Sequence, residues 1–591
     1  MRAARAGWAF AAVALLAVVV AWPLWTVSTA VYGLPAGDLA QTGWFYDFVI
    51  RRLMAGASLD WLADFNYPNP LRRIDEFPNI LDAVIATPVS LLFSYPQQYG
   101  ASQALAVLIN GLGFAWLARS MGCRGLGVLV AGGLGVCCQQ VWRELYMARL
   151  NAAFPGLAGA ALAAWLQVLD AERSRWERVG LALCATLLGA AAALVYPPLL
   201  LLLAPAGAWM ALTRIRGASR LGILLALVAV VLACGLVGGE LDEIRRSPRA
   251  TDGRYGQEAI CALGMACSSI DPRVRLDAGF LTLSDAFLLV GVQLDRWVRS
   301  GLLAVVWLPG LLAPVFLKNR AAWVGILFWA IGLSLLALGP CPEWSKAEPL
   351  SWNLGFVGTR SWCAMGVLHD FGRLLSVATL LFAVATGRVC ESLCENTRFP
   401  RLLSCIVGCL VLAGPVWTVR AQLSQSSSWL AVPVLATTDF LNEAAEGPVV
   451  ELPFDRRVQF LSALQAPGRA RVNTLNTKPR GYSSAYQIRP GDERYPFVGW
   501  LVGLGRGEEL GERPSLEEAH KSGVRWVVWD GERCGAVGLQ ARGDETRPPN
   551  RLSGWADAPA TACRSEILKE LLSVLGEPII LPGSAMAWGL E

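Results

Sequence analysis

The sequence predicts an α-helical polytopic membrane protein, with about 11 transmembrane helices and a juxtamembrane helix, ending in a C-terminal extracytoplasmic α/β domain. Three observations predict it. Over 591 residues the composition is 54% hydrophobic and 16% charged, with a mean hydropathy of +0.44, which lies outside the range of soluble globular chains. The apolar residues gather into uncharged blocks such as 10–30, 221–237 and 402–419, each near the roughly 20 residues needed to cross the hydrocarbon. After residue 421 these blocks give way to short stretches punctuated by Gly and Pro. The formal net charge of +5 gives no sign of nucleic acid binding, because much of the Arg before the tail lies in short loops between apolar blocks.

Spans are expected at 8–30, 101–118, 125–140, 152–168, 179–196, 198–213, 221–238, 299–317, 321–339, 373–388 and 402–420, giving a transmembrane domain over 1–420 and a tail domain over 421–591. The first span follows Arg2 and Arg5, which hold the N-terminus in the cytoplasm. Its apolar stretch is longer than a signal-peptide core, so it is expected to be retained. The segment 80–95 is apolar but short, flanked by Pro78 and Pro96 and broken by Asp82 and Pro88, which suits a juxtamembrane or re-entrant helix. Leaving it outside places Arg119 with Arg124, Arg173 with Arg175 and Arg178, Arg214 with Arg216 and Arg220, Lys318 with Arg320, and Arg388 with Arg398 and Arg401 on the inner side. Letting it span would reverse all of them.

Cysteines test the same topology, since disulfides persist outside the cytoplasm. The outer loops 31–100, 141–151, 239–298 and 340–372 and the tail then hold Cys261 with Cys267, Cys341 with Cys363, and Cys534 with Cys563 as candidate disulfides. Cys390 and Cys394 fall in a cytoplasmic loop, and the remaining cysteines sit in or beside spans, where they act as small apolar residues. In the tail, helices are expected over 437–444, 516–521 and 565–575, and strands over 448–453, 524–529 and 578–581.

Candidate chemistry concentrates on the outer loops. Asp38 follows the first span by a few residues, where an acid can accept a proton from a hydroxyl or bind a divalent cation; as an N-cap of a helix over 39–54 it would also have a structural role. Asp47 follows in the same loop. Outer arginines run against the positive-inside rule, and phosphate is a natural partner for them: Arg143, Arg149, Arg245 and Arg246, beside the alternative of headgroup anchoring or ion pairing. His369 and Arg373 share a helix face where an outer loop meets a late span. The phosphate-binding loop, the dinucleotide glycine motif and the nucleophile elbow are absent, and only His369 and His520 could supply imidazole to a metal.

Taken in order, these features resemble the GT-C superfamily of membrane glycosyltransferases. The likeness is carried by Asp38 after the first span, the turn Ser58-Leu59-Asp60-Trp61-Leu62, the element Tyr67-Pro68 before the juxtamembrane helix, and residues 369–375. Glu451-Leu452-Pro453 and 523–528 resemble the outer α/β tail of uncharacterised bacterial members. The resemblance implies transfer of a sugar from a polyprenyl-phosphate donor to a glycan, lipid or protein acceptor on the outer face of a bacterial inner membrane. Asp38 would be the base, and Arg149, Arg245, Arg246 and Arg373 would bind the donor phosphate. A divalent cation such as Mg or Mn is also implied, although one acid stands where related chains carry an Asp-x-Asp pair. Ala148-Arg149-Leu150-Asn151 stands where they carry Gly-His-Leu-Asn. A lipid or polysaccharide flippase and a non-catalytic envelope-binding scaffold are the competing classes.

Overall fold

A computed structural model describes residues 2–33, 39–62, 65–67, 71–73, 80–215, 217–246, 310–317, 320–336, 373–395, 401–444, 446–454, 456–467, 470–472, 492–506, 512–534, 563, 565–583 and 585–590. The bundle contains α1 (Arg2–Thr26), α2 (Leu39–Met54), α3 (Leu81–Ser90), α4 (Gln97–Ser120), α5 (Gly125–Val136), α6 (Gln139–Tyr146), α7 (Pro155–Val168), α8 (Arg175–Val195), α9 (Pro197–Ile215), α10 (Arg220–Arg246), α11 (Arg320–Leu336), α12 (Leu374–Glu395) and α13 (Arg401–Ser424). Among the described residues, eight helices are long and apolar enough to cross a membrane, with Gly125–Tyr146 taken as one. Of the other expected spans, α7 and α11 are shorter apolar helices, and most of 299–317 lies outside the described residues.

Side-chain periodicity shows how the bundle faces its two solvents. On α1, Ala9, Val13, Ala17, Val20 and Leu24 recur at helical spacing and are buried, while Leu15, Val19 and Trp22 are exposed on the other face. Small residues bring helices together in α4 and α7, where a Cβ on Gly113 would collide with the carbonyl of Gly156. Asn110 fixes the same crossing: its amide donates to the Ala153 carbonyl and accepts from the Gly156 amide, both at 2.7 Å. The expected juxtamembrane segment forms α3, whose 10 residues extend ~15 Å, half the thickness of a hydrocarbon core.

Basic side chains mark one end of the bundle. There Arg214 donates to the Ser120 carbonyl (2.7 Å), Arg119 to the Cys123 carbonyl (3.2 Å), and Arg178 to the Asp170 carbonyl (3.2 Å) and to Ser219. Arg124 and Arg388 each lie 3.7 Å from Glu395. Cys390 and Cys394, expected in a loop, lie instead in the last turns of α12. The helix continues past Arg388 because the Glu391 carboxylate accepts from the Gly127 amide (2.8 Å) and Glu395 meets the two arginines. The expected loop 141–151 is likewise helical through Tyr146.

The opposite end carries the first loop and the tail, and these are interwoven. The tail adds α14 (Thr438–Glu443), α15 (Arg456–Gln465), α16 (Pro496–Arg506), α17 (Leu516–Lys521) and α18 (Ser565–Leu575). Strands are β1 (Ala30–Tyr32), β2 (Trp61–Leu62), β3 (Phe65–Tyr67), β4 (Leu71–Arg72), β5 (Trp429–Ala431), β6 (Val449–Leu452), β7 (Arg471–Val472), β8 (Trp526–Asp530), β9 (Ile579–Ile580) and β10 (Ala585–Gly589). Among the described residues six of them form one mixed sheet in the order β3-β7-β6-β8-β10-β9. One of its edge strands, β3, comes from the first loop and runs parallel to β7. β1 pairs antiparallel with β5, so a second strand of the first loop also joins the tail. Cys534 and Cys563 are joined by a disulfide with Cα atoms 5.6 Å apart, whereas the pairs Cys261 with Cys267 and Cys341 with Cys363 lie outside the described residues.

Candidate functional site

Where the bundle meets the first loop, α6 ends in an abrupt turn. Ala148 adopts a positive φ of 57°, a conformation that costs an L-residue ~1–2 kcal/mol, and the Arg149 amide closes the turn by donating to the Glu144 carbonyl at 2.8 Å. The turn is pinned from above by α2, whose Thr42 hydroxyl donates to the Ala148 carbonyl at 3.0 Å. Gln103 holds it from the side, donating to the carbonyls of Leu145 and Tyr32, each at 3.1 Å. Tyr32 stacks edge-on against Trp142 at 5.9 Å, which brings the start of the first loop onto α6.

Charge converges on this turn. Arg373, directly before α12, has its Nε 3.4 Å from Glu144 Oε2 and donates from Nη1 to the Tyr196 phenol oxygen at 2.6 Å. The Arg373 guanidinium also lies 4.9 Å from the Tyr196 ring centroid, a cation–π distance. Glu144 is only 1% exposed, and Gln140 donates to its other oxygen at 2.9 Å. Arg143 and Arg149, both half-buried, flank Glu144 along the same segment. Three of the arginines singled out in the sequence therefore stand at one end of the bundle, and one of them, Arg373, meets an acid that sequence reasoning did not select. Its only signal was position: Glu144 is an acid within an apolar-faced helix between two outer arginines. Tyr196 was legible only as the last residue of the expected span 179–196.

The other candidates separate. Asp38 and His369 lie outside the described residues, as do the side chains of Arg245 and Arg246 at the end of α10. The chain on either side of 34–38 is described: Leu39 packs against Gly33, beside the Tyr146 carbonyl. Asp47 accepts from Arg51 at 2.8 Å on its own helix, a half-exposed pair. Near the end of α10, Glu240 pairs with the buried Arg73 at 2.7 Å and Glu243 with Arg72 at 3.3 Å, tying the first loop to that helix.

A second buried acid lies behind α2. Asp82 on α3 accepts from the Tyr46 hydroxyl at 2.8 Å, and burial pushes its carboxyl up to about 6 despite that hydrogen bond. Burial likewise raises the Tyr46 phenol well above its ordinary value. Among the described residues, no three His, Cys, Asp or Glu side chains stand together as a metal site. Asp38, the acid that the resemblance offers to a divalent cation, lies outside the described residues, and no chemical step is assigned to a metal.

No protein-family model and no curated protein matches the sequence. Among solved structures the chain is similar to the oligosaccharyltransferase of Archaeoglobus fulgidus in the apo form, at 11% identity and a TM-score of 0.48 over 94% of this chain and 72% of that one. It is also similar to ArnT from Cupriavidus metallidurans bound to undecaprenyl phosphate, at 11% identity and a TM-score of 0.45 over 98% of each chain. A third is the arabinofuranosyltransferase AftD from Mycobacteria, at 13% identity and a TM-score of 0.48 over 98% of this chain and 41% of that one. These are GT-C membrane glycosyltransferases, the group whose motifs the first loop resembles.

Proposed function

We propose that this protein is a membrane glycosyltransferase that moves a sugar from a polyprenyl-phosphate donor to an acceptor hydroxyl at the bundle end bearing the first loop and tail. That end faces away from the cytoplasm in this reading, because the opposite end gathers the basic side chains that the positive-inside rule keeps inside. The supporting observation is the guanidinium of Arg373, held by Glu144 and Tyr196 at the start of a span. A polyprenyl chain lies in the lipid with its phosphate at headgroup depth, the depth at which spans begin. A guanidinium suits that group because its planar N–H donors match phosphate oxygens.

Transfer breaks the bond between the anomeric carbon and the phosphate oxygen and forms one to the acceptor oxygen. Positive charge builds on the sugar ring and negative charge on the departing phosphate. Arg373, with Arg143 and Arg149, would stabilise that departing charge, and cations preorganised where water is scarce do so far better than in bulk solution. Asp38, directly before α2, would take the acceptor proton. A flippase would instead carry charges near the membrane midplane. In the described spans charge gathers toward the helix ends, as with Arg119 on α4 and Arg214 on α9.

The reading is tested by incubating the purified protein with membrane extract and a series of labelled polyprenyl-phosphate sugars. Wild type should move label from donor to an acceptor fraction, and Asp38→Asn should abolish transfer while remaining inserted and folded. Donor binding without transfer by wild type would sink the enzyme reading, and full activity in Asp38→Asn would remove Asp38 from the mechanism.

A further inference from the structure

We infer that Glu144 is the resident counter-ion of Arg373 and sets how tightly the site holds the anionic end of its lipid. The inference rests on the phosphate-binding role proposed for Arg373. Glu144 is fixed rather than adaptable: one oxygen accepts from Gln140 at 2.9 Å, the other faces Arg373 Nε at 3.4 Å, and the side chain is 1% exposed. Its backbone carbonyl accepts from the Arg149 amide, which fixes the main chain from which the side chain departs. An acid is therefore built in beside the cation proposed to receive phosphate.

Such a charge acts in two directions. Without lipid, Glu144 neutralises a guanidinium that is only 12% exposed, and with Tyr196 it holds the planar group in one orientation. With lipid, phosphate must bind against the field of Glu144. A unit charge ~7 Å away at an effective dielectric of ~20 changes affinity by an order of magnitude or more. The penalty is larger for the doubly charged monoester left after transfer than for the singly charged diester donor. Glu144 is thus a positioning residue that acts through Arg373, and it favours release of the polyprenyl phosphate product.

The test measures binding of undecaprenyl monophosphate and of uncharged undecaprenol to purified protein in nanodiscs. Glu144→Gln, which preserves shape, should tighten undecaprenyl monophosphate by at least about tenfold and leave undecaprenol unchanged. In turnover, KM and kcat should fall together as the product leaves more slowly. On an Arg373→Ala background the same substitution should tighten binding much less, because only the direct repulsion remains and the guanidinium for which Glu144 and phosphate compete is gone. Unchanged or weaker binding in a folded Glu144→Gln protein overturns the inference, as does the same tightening without Arg373. If the Gln variant does not fold, Glu144→Asp withdraws the charge by one methylene and should tighten binding about threefold; weaker binding there is equally fatal. Wild type that binds undecaprenyl monophosphate no better than undecaprenol would instead refute the phosphate role of Arg373 itself.

Discussion

Glu451 sits in β6 without solvent contact, and the hydrogen bonds around it explain why an acid is tolerated there. Ser462 and Arg533 each donate to Oε1 at 2.6 Å, and Arg471 donates to Oε2 at 3.1 Å. Burial alone would raise its pKa, but the guanidinium groups of Arg533 and Arg471, with the Ser462 hydroxyl, outweigh it and hold the carboxyl below its ordinary value. Glu451→Ala leaves two buried guanidinium cations without their shared anion, and is expected to destabilise the tail by about 3–5 kcal/mol. Limited proteolysis of the tail against temperature reads this directly, and a variant as resistant as wild type would show that the cluster does not support the sheet. Because the folded pKa is depressed, the contribution is complete above the unfolded value of ~4.3 and is lost only as pH falls through the folded one. Glu451-Leu452-Pro453 was legible in the sequence as a motif, but not as an ion cluster, since its partners come from separate elements. The same holds at the candidate site, where Arg373 could be singled out by its sign and location, while its partner Tyr196 lies 177 residues away.

At the scale of elements, α2 is clamped between two neighbours. On one side Trp44 meets Phe460 of α15 with ring centroids 5.4 Å apart; on the other, Tyr46 reaches Asp82 of α3. Asp82 makes the second joint sensitive to pH. Its folded pKa of about 6 exceeds the unfolded value of ~3.9, so stability is greatest below the lower value, falls as pH rises between the two, and is flat above. The loss amounts to ~2–3 kcal/mol. Asp82→Asn keeps an acceptor for Tyr46 and removes the titration, so its melting temperature should change less than that of wild type between pH 5 and 7.5. Parallel curves for the two proteins would exclude Asp82 as the source. Elements with a local signature were legible. The tail helices Leu516–Lys521 and Ser565–Leu575 match their expected bounds, the former opened by the Ser515–Glu518 capping box. β10 was not, because Ala-Met-Ala-Trp-Gly lacks a strand-like alternation of strong β-formers and becomes a strand by pairing with β8. β3 was missed for a related reason: three residues are too few to show a period.

At the scale of the whole molecule, the first loop and the tail fold as one unit. Helix α15 covers α2, β5 completes β1, and β7 completes β3, while Leu430, Leu435, Val458, Phe460 and Leu461 share a core with Trp44, Phe48 and Tyr32. Strand pairing requires the two regions to lie on the same side of the membrane, and α3 is too short to move one across. A chain ended at Ser424 would keep every described span but would uncover large buried side chains on α2, each worth roughly 2–3 kcal/mol of burial. The first loop should then become open to protease and lose any activity of the candidate site, although the bundle still inserts. In intact spheroplasts, protease added outside should cut the truncated protein within 31–100 while wild type resists in that region. A truncated protein whose first loop stays protected and active would show that the loop folds without the tail. Cleavage of the truncated protein within 31–100 only after lysis would reverse the proposed orientation and put the Arg373 cluster on the cytoplasmic side.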